Sequence, residues 1–249
     1  MKKYAVIVAG GSGSRMGGPT PKQFLLLQGK TVLWHTLKVF LDAYEDMEII
    51  LVLPEEHLET GRKILAIAEA DASIREGVAF PDRLRGVRMV AGGTTRFHSV
   101  QNGLELIRTD FLRSGPRLIE EEAVIFVHDG VRCLLTKALV HRCYEQAVRL
   151  GSAIPVIDSK DSVRLMTPEG NEAIDRSRVK LVQTPQTFLS SVLLPAFAAI
   201  YREAFTDEAT VVEAAGRAVH LVEGEVNNIK ITLPVDLVMA EGLLGEPNK

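Results

Sequence analysis

The chain has 249 residues, 46% hydrophobic and 24% charged, which is typical of a globular protein and excludes a disordered or collagen-like chain. Its net charge of −3 gives no overall reason to bind nucleic acid or an anionic membrane surface, and its two cysteines cannot form a disulfide framework. The apolar run at residues 4–9 is too short for a signal peptide, and no run is long enough for a transmembrane helix. We therefore expect a soluble cytoplasmic protein without nucleic-acid or membrane partners.

Short apolar runs alternate along the chain with segments of helical periodicity. The apolar runs predict buried strands at residues 4–9, 47–53, 87–91, 123–127 and 152–157. Helices are predicted over residues 31–44, from Pro54 onward, and over 95–107 and 136–150. This alternation favours an α/β fold with a Rossmann-like, mostly parallel sheet and helices on both faces. Ligands bind such sheets beyond the carboxyl ends of the strands, here residues 10–16, 92–99 and 128–132.

Residues 158–180 interrupt this alternation because they are polar and contain a turn signal at residues 167–171. The flanks of that turn, residues 162–166 and 172–174, are predicted to pair as a β-hairpin. A hairpin has too little core to be stable alone, so it must pack on another surface, for which a partner subunit is a candidate. We therefore expect one domain over residues 1–249, with residues 158–180 as a dimerisation arm.

The loop after the first strand reads GGSGSRMG at residues 10–17 and is followed by PKQF at residues 21–24. Glycines after a buried strand let backbone N–H groups approach an anion. Arg15 and Lys22 add cations to what we expect to be an exposed loop. Met16 breaks the dinucleotide-binding fingerprint, and Phe24 stands where a P-loop requires glycine. The loop is predicted to bind phosphate by neither of these standard motifs, which excludes a dinucleotide oxidoreductase.

Several segments together resemble one enzyme family. The pattern at residues 10–23 resembles the signature of nucleotidyltransferases, and AGGTTRFHSV at residues 91–100 looks like the pyrimidine-binding segment of cytidylyltransferases. VHDGVR, DR, TPQTF, TDEA and NIK follow in the family's order at residues 127–132, 175–176, 184–188, 206–209 and 228–230. From about residue 4 to residue 241 the chain resembles the 2-C-methyl-D-erythritol 4-phosphate cytidylyltransferases of the non-mevalonate isoprenoid pathway. Thr94 and Cys133 depart from the aspartate and proline that family members often carry there.

The resemblance implies transfer of a cytidylyl group from CTP to 2-C-methyl-D-erythritol 4-phosphate, giving 4-diphosphocytidyl-2-C-methyl-D-erythritol and pyrophosphate. The catalytic residues it implies are Arg15, Lys22 and Lys230. The nucleotide-binding residues it implies are Ala9, Gly10, Gly11, Gly13, Gly92, Gly93, Thr94, Ser99, Asp129 and Gly130. For the acceptor it implies Arg132, Ser159, Arg176, Thr184 and Thr206, with Ser159 and Arg176 reaching the site of a dimer partner and Thr184 nearby. It also implies Mg²⁺ held mainly by the CTP phosphates, with Asp129 as a further candidate ligand.

Some of these residues also have a structural interpretation. Asp129 could cap the following helix with Arg132 as its surface partner, although a carboxylate at a strand end beside a phosphate loop favours a functional role. Lys230 falls in a predicted apolar strand over residues 228–232, where a buried lysine needs an anion. His128 is expected to be structural. The core is predicted to contain Trp34, the two cysteines are expected to be unreactive, and no His and Cys spacing suits zinc.

The sequence leaves two other functions open. The same scaffold could serve a cytidylyltransferase for another polyol phosphate, such as ribitol 5-phosphate. A module that senses nucleotides without turnover is the alternative from another class. The cations Arg15, Lys22 and Lys230 oppose it, because a sensor does not need to stabilise a transition state.

Overall fold

The computed structural model describes residues 1–11, 16–72, 86–113 and 122–245. The strands are β1 (Lys2–Val8), β2 (Leu26–Leu27), β3 (Lys30–Thr31), β4 (Met47–Leu53), β5 (Val87–Ala91), β6 (Ala123–Asp129), β7 (Ser152–Asp158), β8 (Val163–Thr167), β9 (Gly170–Ile174), β10 (Lys180–Val182), β11 (Gln186–Leu189) and β12 (Leu221–Glu223). The α-helices are α1 (Val32–Ala43), α2 (Leu58–Ala72), α3 (Arg96–Arg113), α4 (Lys137–Leu150), α5 (Ser190–Ala196), α6 (Glu208–Ala214) and α7 (Pro234–Gly245).

The central sheet is mixed but mostly parallel, with the order β10-β7-β11-β6-β1-β4-β5 and with β12 also paired with β7. The pairs β1–β6, β1–β4, β4–β5 and β12–β7 are parallel. Only β10 and β11 among the described strands of this sheet run against the others. The predicted α/β fold is confirmed, and β10, β11 and β12 are additions that the apolar pattern did not predict.

Both faces of the sheet are covered, as the unbroken apolar strands predicted. Because side chains alternate across a strand, Ala5 and Ile7 of β1 face one apolar core while Tyr4 and Val6 face another. The first core contains residues of α1 and α4, and the second contains residues of α3, α5 and α6. The core prediction for Trp34 is confirmed in part, because its indole is partly buried against the first core.

Local signals set the helix boundaries close to the predicted ones. The hydroxyl of Thr31 accepts a hydrogen bond from the N–H of Trp34 at 3.2 Å, and that of Thr136 accepts one from Leu139 at 3.1 Å, so α1 and α4 begin just after them. Gly151 ends α4 with a φ of 87°, a left-handed conformation that favours glycine. None of the helices within the described ranges is long and apolar enough to cross a bilayer.

The predicted hairpin is present, and one predicted strand is not. β8 and β9 pair in an antiparallel ladder separate from the central sheet, and most of their residues are exposed. Residues 228–232 were expected to form a strand, but they are not part of any ladder in the described chain. Instead they pass beside the end of β6, held by a hydrogen bond from the N–H of Ile231 to the carbonyl of Val131 at 3.0 Å. The apolar pattern of these five residues did not identify a strand, because the segment bonds to the loop after β6 rather than to a strand.

Candidate active site

A cavity of about 690 Å³ lies at the carboxyl edge of the sheet, where β1, β4, β5 and β6 end. Its volume falls in the range of small-ligand sites. The residues of the sequence prediction that line it are Ala9, Gly10, Gly11, Lys22, Gly92, Gly93, Thr94, Ser99, Asp129 and Lys230. The topology therefore brings three separated segments and one distant lysine into a single site. Two residues of the prediction, Gly13 and Arg15, lie outside the described residues.

The turn between β5 and α3 forms one wall of the cavity. The N–H of Gly92 donates to the carbonyl of Leu53 at 2.8 Å, and the N–H of Gly93 donates to the hydroxyl of Ser99 at 3.1 Å. The Ser99 hydroxyl donates in turn to the carbonyl of Thr95 at 3.0 Å. A Cβ on Gly93 would lie 2.4 Å from the Cβ of His98, so the turn needs glycine there. Since both glycine N–H groups are used within the protein, the polar groups left on these residues are hydrogen-bond acceptors.

The phosphate loop differs from the prediction in the exposure of Lys22. Lys22 begins a short 3₁₀ turn, Lys22–Phe24, and only 8% of its surface is exposed. Its neighbour Gln23 anchors the turn by donating from Nε2 to the carbonyl of Ala9 at 2.9 Å. The expectation of an exposed loop is therefore wrong for this residue, because the glutamine anchor draws the turn onto the end of β1. Burial holds the Lys22 cation at the cavity wall.

Asp129 is the centre of a cluster of cations at the end of β6. Its Oδ1 accepts from Nε of Arg96 at 3.3 Å, while its Oδ2 lies 2.9 Å from Nζ of Lys230 and 3.6 Å from Nε of Arg132. Burial alone would raise the pKa of the Asp129 carboxyl, but Arg96, Lys230 and Arg132 outweigh it and hold that pKa well below its ordinary value. Asp129 is therefore a carboxylate at neutral pH and holds three cations at the end of β6, two of which, Arg96 and Lys230, line the cavity.

Arg96 and Glu208 are site residues that the sequence interpretation did not select. Arg96 lines the cavity, and its guanidinium pairs with both carboxylate oxygens of Glu208, with 3.0 Å between Nη2 and Oε2. Glu208 is 1% exposed and lies at the start of α6. Burial would lower the pKa of Arg96, but Glu208 and Asp129 raise it above its ordinary value, so the guanidinium stays charged. Both residues belong to the family-like motifs, but nothing in the sequence indicates that they pair.

Thr184 and His128 form a chain of buried hydrogen bonds that leads to the backbone N–H of Asp129. The Thr184 hydroxyl accepts from the N–H of Asp129 at 3.1 Å and lies 3.0 Å from Nδ1 of His128, whose Nε2 is 3.1 Å from the carbonyl of Arg132. Burial lowers the pKa of His128 to about 4, so the ring is neutral, with Nε2 donating and Nδ1 accepting. The structural role of His128 follows from these bonds. Thr184 was expected beside the arm, but it is 5% exposed with its hydroxyl bonded inside the protein.

Gly130 was predicted to bind the nucleotide, but the structure places it behind the cavity wall. Its N–H donates to the carbonyl of Val8 at 2.8 Å, and a Cβ there would lie 2.8 Å from that of Ala9. A side chain at this position would push β6 away from β1. Its glycine is therefore explained by close packing between the ends of these two strands.

The remaining acceptor residues lie outside the cavity lining. Ser159 donates to the carbonyl of Asp161 at 3.1 Å, and the exposed Arg176 donates to the carbonyl of Lys160 at 3.1 Å, so both lie at the base of the arm. Thr206 is exposed just before α6. Arg132 is mostly buried and donates from Nη1 to the carbonyl of Asn228 at 2.8 Å. Within one chain, the arm residues and the cavity are separate groups.

The described residues contain no group of three or more His, Cys, Asp or Glu arranged to hold a metal ion. Both cysteines are buried and free, and burial raises the pKa of each thiol to about 12, which opposes thiolate chemistry at neutral pH. The charged groups that line the cavity among the described residues include Lys22, Arg96, Asp129 and Lys230.

Comparisons with known proteins agree on one family. Residues 4–246 match the family described as 2-C-methyl-D-erythritol 4-phosphate cytidylyltransferase. Proteins of that name from Bacteroides thetaiotaomicron and Bacteroides fragilis are 42% and 43% identical over 244 residues, covering 98% of this chain and all of theirs. The structure of the Thermus thermophilus protein of that name has 31% identity and a TM-score of 0.68, with 98% of both chains covered. A 4-diphosphocytidyl-2C-methyl-D-erythritol synthase from Anaerococcus prevotii has 26% identity and a TM-score of 0.74, covering 98% of this chain and 99% of its own.

Proposed function

The chain belongs to the 2-C-methyl-D-erythritol 4-phosphate cytidylyltransferase family, and from that membership we propose how its residues carry out the reaction. The enzyme transfers the cytidylyl group of CTP to 2-C-methyl-D-erythritol 4-phosphate and releases pyrophosphate, in the synthesis of isoprenoid precursors. Ribitol 5-phosphate is not favoured as the acceptor, because the family and the similar proteins carry the name of the methylerythritol enzyme.

The observation that carries the proposed site is that a glycine turn and two lysines, Lys22 and Lys230, line one cavity. The turn at Gly92 and Gly93 has its N–H groups already bonded, which leaves acceptors for a ligand. The amino group of cytosine is a donor, whereas uracil has a carbonyl at the same ring position, so an acceptor wall favours cytosine. Lys22 and Lys230 line the same cavity and would lie along the triphosphate.

The proposed mechanism is a displacement at the α-phosphorus of CTP by a phosphate oxygen of the acceptor. That oxygen is already ionised at neutral pH, so no general base is needed, and the neutral, buried His128 is not one. Negative charge grows on the α-phosphate and on the leaving pyrophosphate in the transition state. Lys22, Lys230 and Arg15 are assigned to stabilise it, since a preorganised cation in a cavity acts more strongly than one in water.

Lys230 is placed where an arriving phosphate can reach it. Its side chain is 42% exposed, and its Nζ is held by Asp129 at 2.9 Å. An arriving phosphate competes with Asp129 for the same ammonium group. Arg96 and Arg132 remain beside Asp129 when Lys230 turns to the phosphate, so the carboxylate does not lose all its partners.

Mg²⁺ is proposed as the cofactor, held mainly by triphosphate oxygens and water. The donor set fits that arrangement, because Asp129 lines the cavity as a carboxylate, while the described residues offer no complete protein cage. Asp129 is the candidate to hold a metal-bound water or the metal. When bound, Mg²⁺ would neutralise charge on the triphosphate and the leaving pyrophosphate.

A homodimer is proposed because the arm carries acceptor-binding candidates that lie off the cavity of their own chain. Arg176 and Ser159 lie at the base of the arm, and Leu165 and Met166 of β8 expose 48% and 75% of their surface. A partner chain would cover these apolar side chains and receive Arg176 in its cavity. We also propose a cytoplasmic location, which is supported by two free, buried thiols.

Pyrophosphate release tests the proposed function directly. With 2-C-methyl-D-erythritol 4-phosphate as the acceptor, kcat/KM should be at least about 100-fold higher for CTP than for UTP, because a wrong base leaves polar groups unpaired. With CTP fixed, the methylerythritol acceptor should exceed ribitol 5-phosphate. Equal rates with CTP and UTP would refute the proposed base recognition, and a preference for ribitol 5-phosphate would refute the acceptor.

A further inference from the structure

Arg96 connects two carboxylates that come from distant parts of the chain. Its Nη1 and Nη2 pair with Glu208, and its Nε donates to Oδ1 of Asp129 at 3.3 Å. Lys230 contacts the other oxygen of the same carboxylate, Oδ2, at 2.9 Å. The two oxygens of Asp129 are therefore divided, with one bonded to Arg96 and the other facing Lys230.

Glu208 is held in place by the start of α6. Asp207 caps this helix by accepting from the N–H of Thr210 at 2.9 Å. Gln186 of β11 donates to Oδ2 of Asp207 at 2.8 Å and accepts from the N–H of Ala209 at 2.8 Å. Asp207 and Ala209, on either side of Glu208, are thus both tied to Gln186 of the sheet, so Glu208 offers Arg96 a fixed partner.

We propose that Arg96, held by Glu208, is a positioning residue for Lys230. By occupying Oδ1, it sets the rotation of the Asp129 carboxylate and directs Oδ2 toward the lysine. Lys230 is thereby kept in the cavity and close to the site of the α-phosphate before CTP arrives. This inference rests on the proposed role of Lys230 in the transition state.

This arrangement needs a guanidinium, which has three nitrogens that can donate in one plane. A guanidinium can pair with Glu208 through two nitrogens and still donate to Asp129 from a third. An ammonium group keeps the charge but is a single point, so it cannot satisfy both carboxylates in the same geometry. Arg96→Lys therefore removes the positioning and conserves the charge.

Two other roles for Arg96 give different results in kinetics. If the ion pair only holds α3 to α6, Arg96→Lys lowers the melting temperature and leaves kcat of the folded enzyme unchanged. If Arg96 binds CTP directly, the variant raises KM for CTP more than it lowers kcat. The proposal requires the reverse, a fall in kcat with a smaller change in KM, because the base-binding turn is untouched.

The test is a double-mutant cycle of Arg96→Lys and Lys230→Ala, with kcat and KM for CTP measured for all four enzymes. Arg96→Lys should lower kcat at least about 10-fold in the wild-type background, since small errors of position are costly in catalysis. It should lower kcat less than about 2-fold when Lys230 is already alanine. The matched control is Arg88→Lys. Nη1 and Nη2 of Arg88 donate to Oδ1 and Oδ2 of Asp110 at 2.9 and 2.7 Å, and Arg88 does not line the cavity. This variant should alter stability but not kcat.

The outcomes separate the inference from the function on which it rests. Equal losses of kcat in both backgrounds would overturn the positioning role alone. Near-normal kcat in Lys230→Ala would overturn the proposed role of Lys230 and the inference with it. If Arg96→Lys does not fold, Glu208→Gln keeps the size of the partner and carries the same expectation for kcat and for the cycle.

Discussion

An active site shared between two chains predicts that two inactive variants restore each other's activity. Arg176 lies at the base of the arm, while Lys230 lines the cavity of the body. Both side chains are at least partly exposed, so replacing either with alanine should leave the fold intact. Arg176→Ala and Lys230→Ala enzymes, each nearly inactive alone, are mixed and allowed to exchange subunits.

The size of the recovery follows from symmetry. In a mixed dimer, one site combines the defective body with the defective arm, and the other combines the intact body with the intact arm. Random exchange makes about half of the dimers mixed, and half of the sites in these are intact. About a quarter of wild-type pyrophosphate release should therefore return, measured at equal total chain concentration.

The control uses two defects in the same body. Lys22 and Lys230 both line the cavity, so a mixture of Lys22→Ala and Lys230→Ala enzymes leaves no site intact and should recover nothing. Native mass spectrometry confirms that exchange has occurred in each mixture. Absence of recovery for the Arg176 pair despite full exchange would show that Arg176 acts within its own chain, and a monomer under assay conditions would refute the shared site.

Three further outcomes follow from individual residues. Because burial lowers the pKa of His128 from 6.5 to about 4, its neutral form stabilises the fold above pH 6.5 and that stability is lost as the pH falls toward 4. Urea unfolding across this range should show a weaker pH dependence for His128→Gln than for wild type, and equal slopes would contradict the assignment. Gly93→Ala should raise KM for CTP at least about 10-fold, because the new Cβ would lie 2.4 Å from the Cβ of His98. The control Gly18→Ala, where a Cβ would meet open space, should leave KM unchanged. Equal KM values for Gly93→Ala and wild type would refute the tight turn. Lys22→Ala should lower kcat about 100-fold, and near-normal turnover of a variant that folds by circular dichroism would remove Lys22 from the mechanism.

The sequence predicted the main strands well because most of their residues are apolar. Met47–Leu53 and Val87–Ala91 have the predicted bounds, and both are nearly continuous apolar runs. The pattern failed at an exposed edge and in a connecting segment: β10, with every residue exposed, was not predicted, and the strand expected at residues 228–232 is absent from the described ladders. Edge and connecting segments are held by individual backbone bonds, which leave no periodic signal.

The site was predictable where it follows a strand end. Parallel strands place their carboxyl ends at one edge, so the strand pattern alone groups Ala9, Gly92 and Asp129. Lys22 lines the cavity, but its burial was not foreseen, since that depends on the bond from Gln23 to Ala9.

The sequence by itself determined the layered α/β architecture, the edge that holds the site and the family, because each rests on local patterns and motif order. Only the tertiary structure decided which side chains meet. Arg96 and Glu208 are 112 residues apart, and Thr184 contacts Asp129 from 55 residues away. Such contacts depend on strand register and on how helices pack across the sheet. Hydrophobic periodicity specifies neither the strand register nor the helix packing, so the charge network around Asp129 could be seen only in the folded chain.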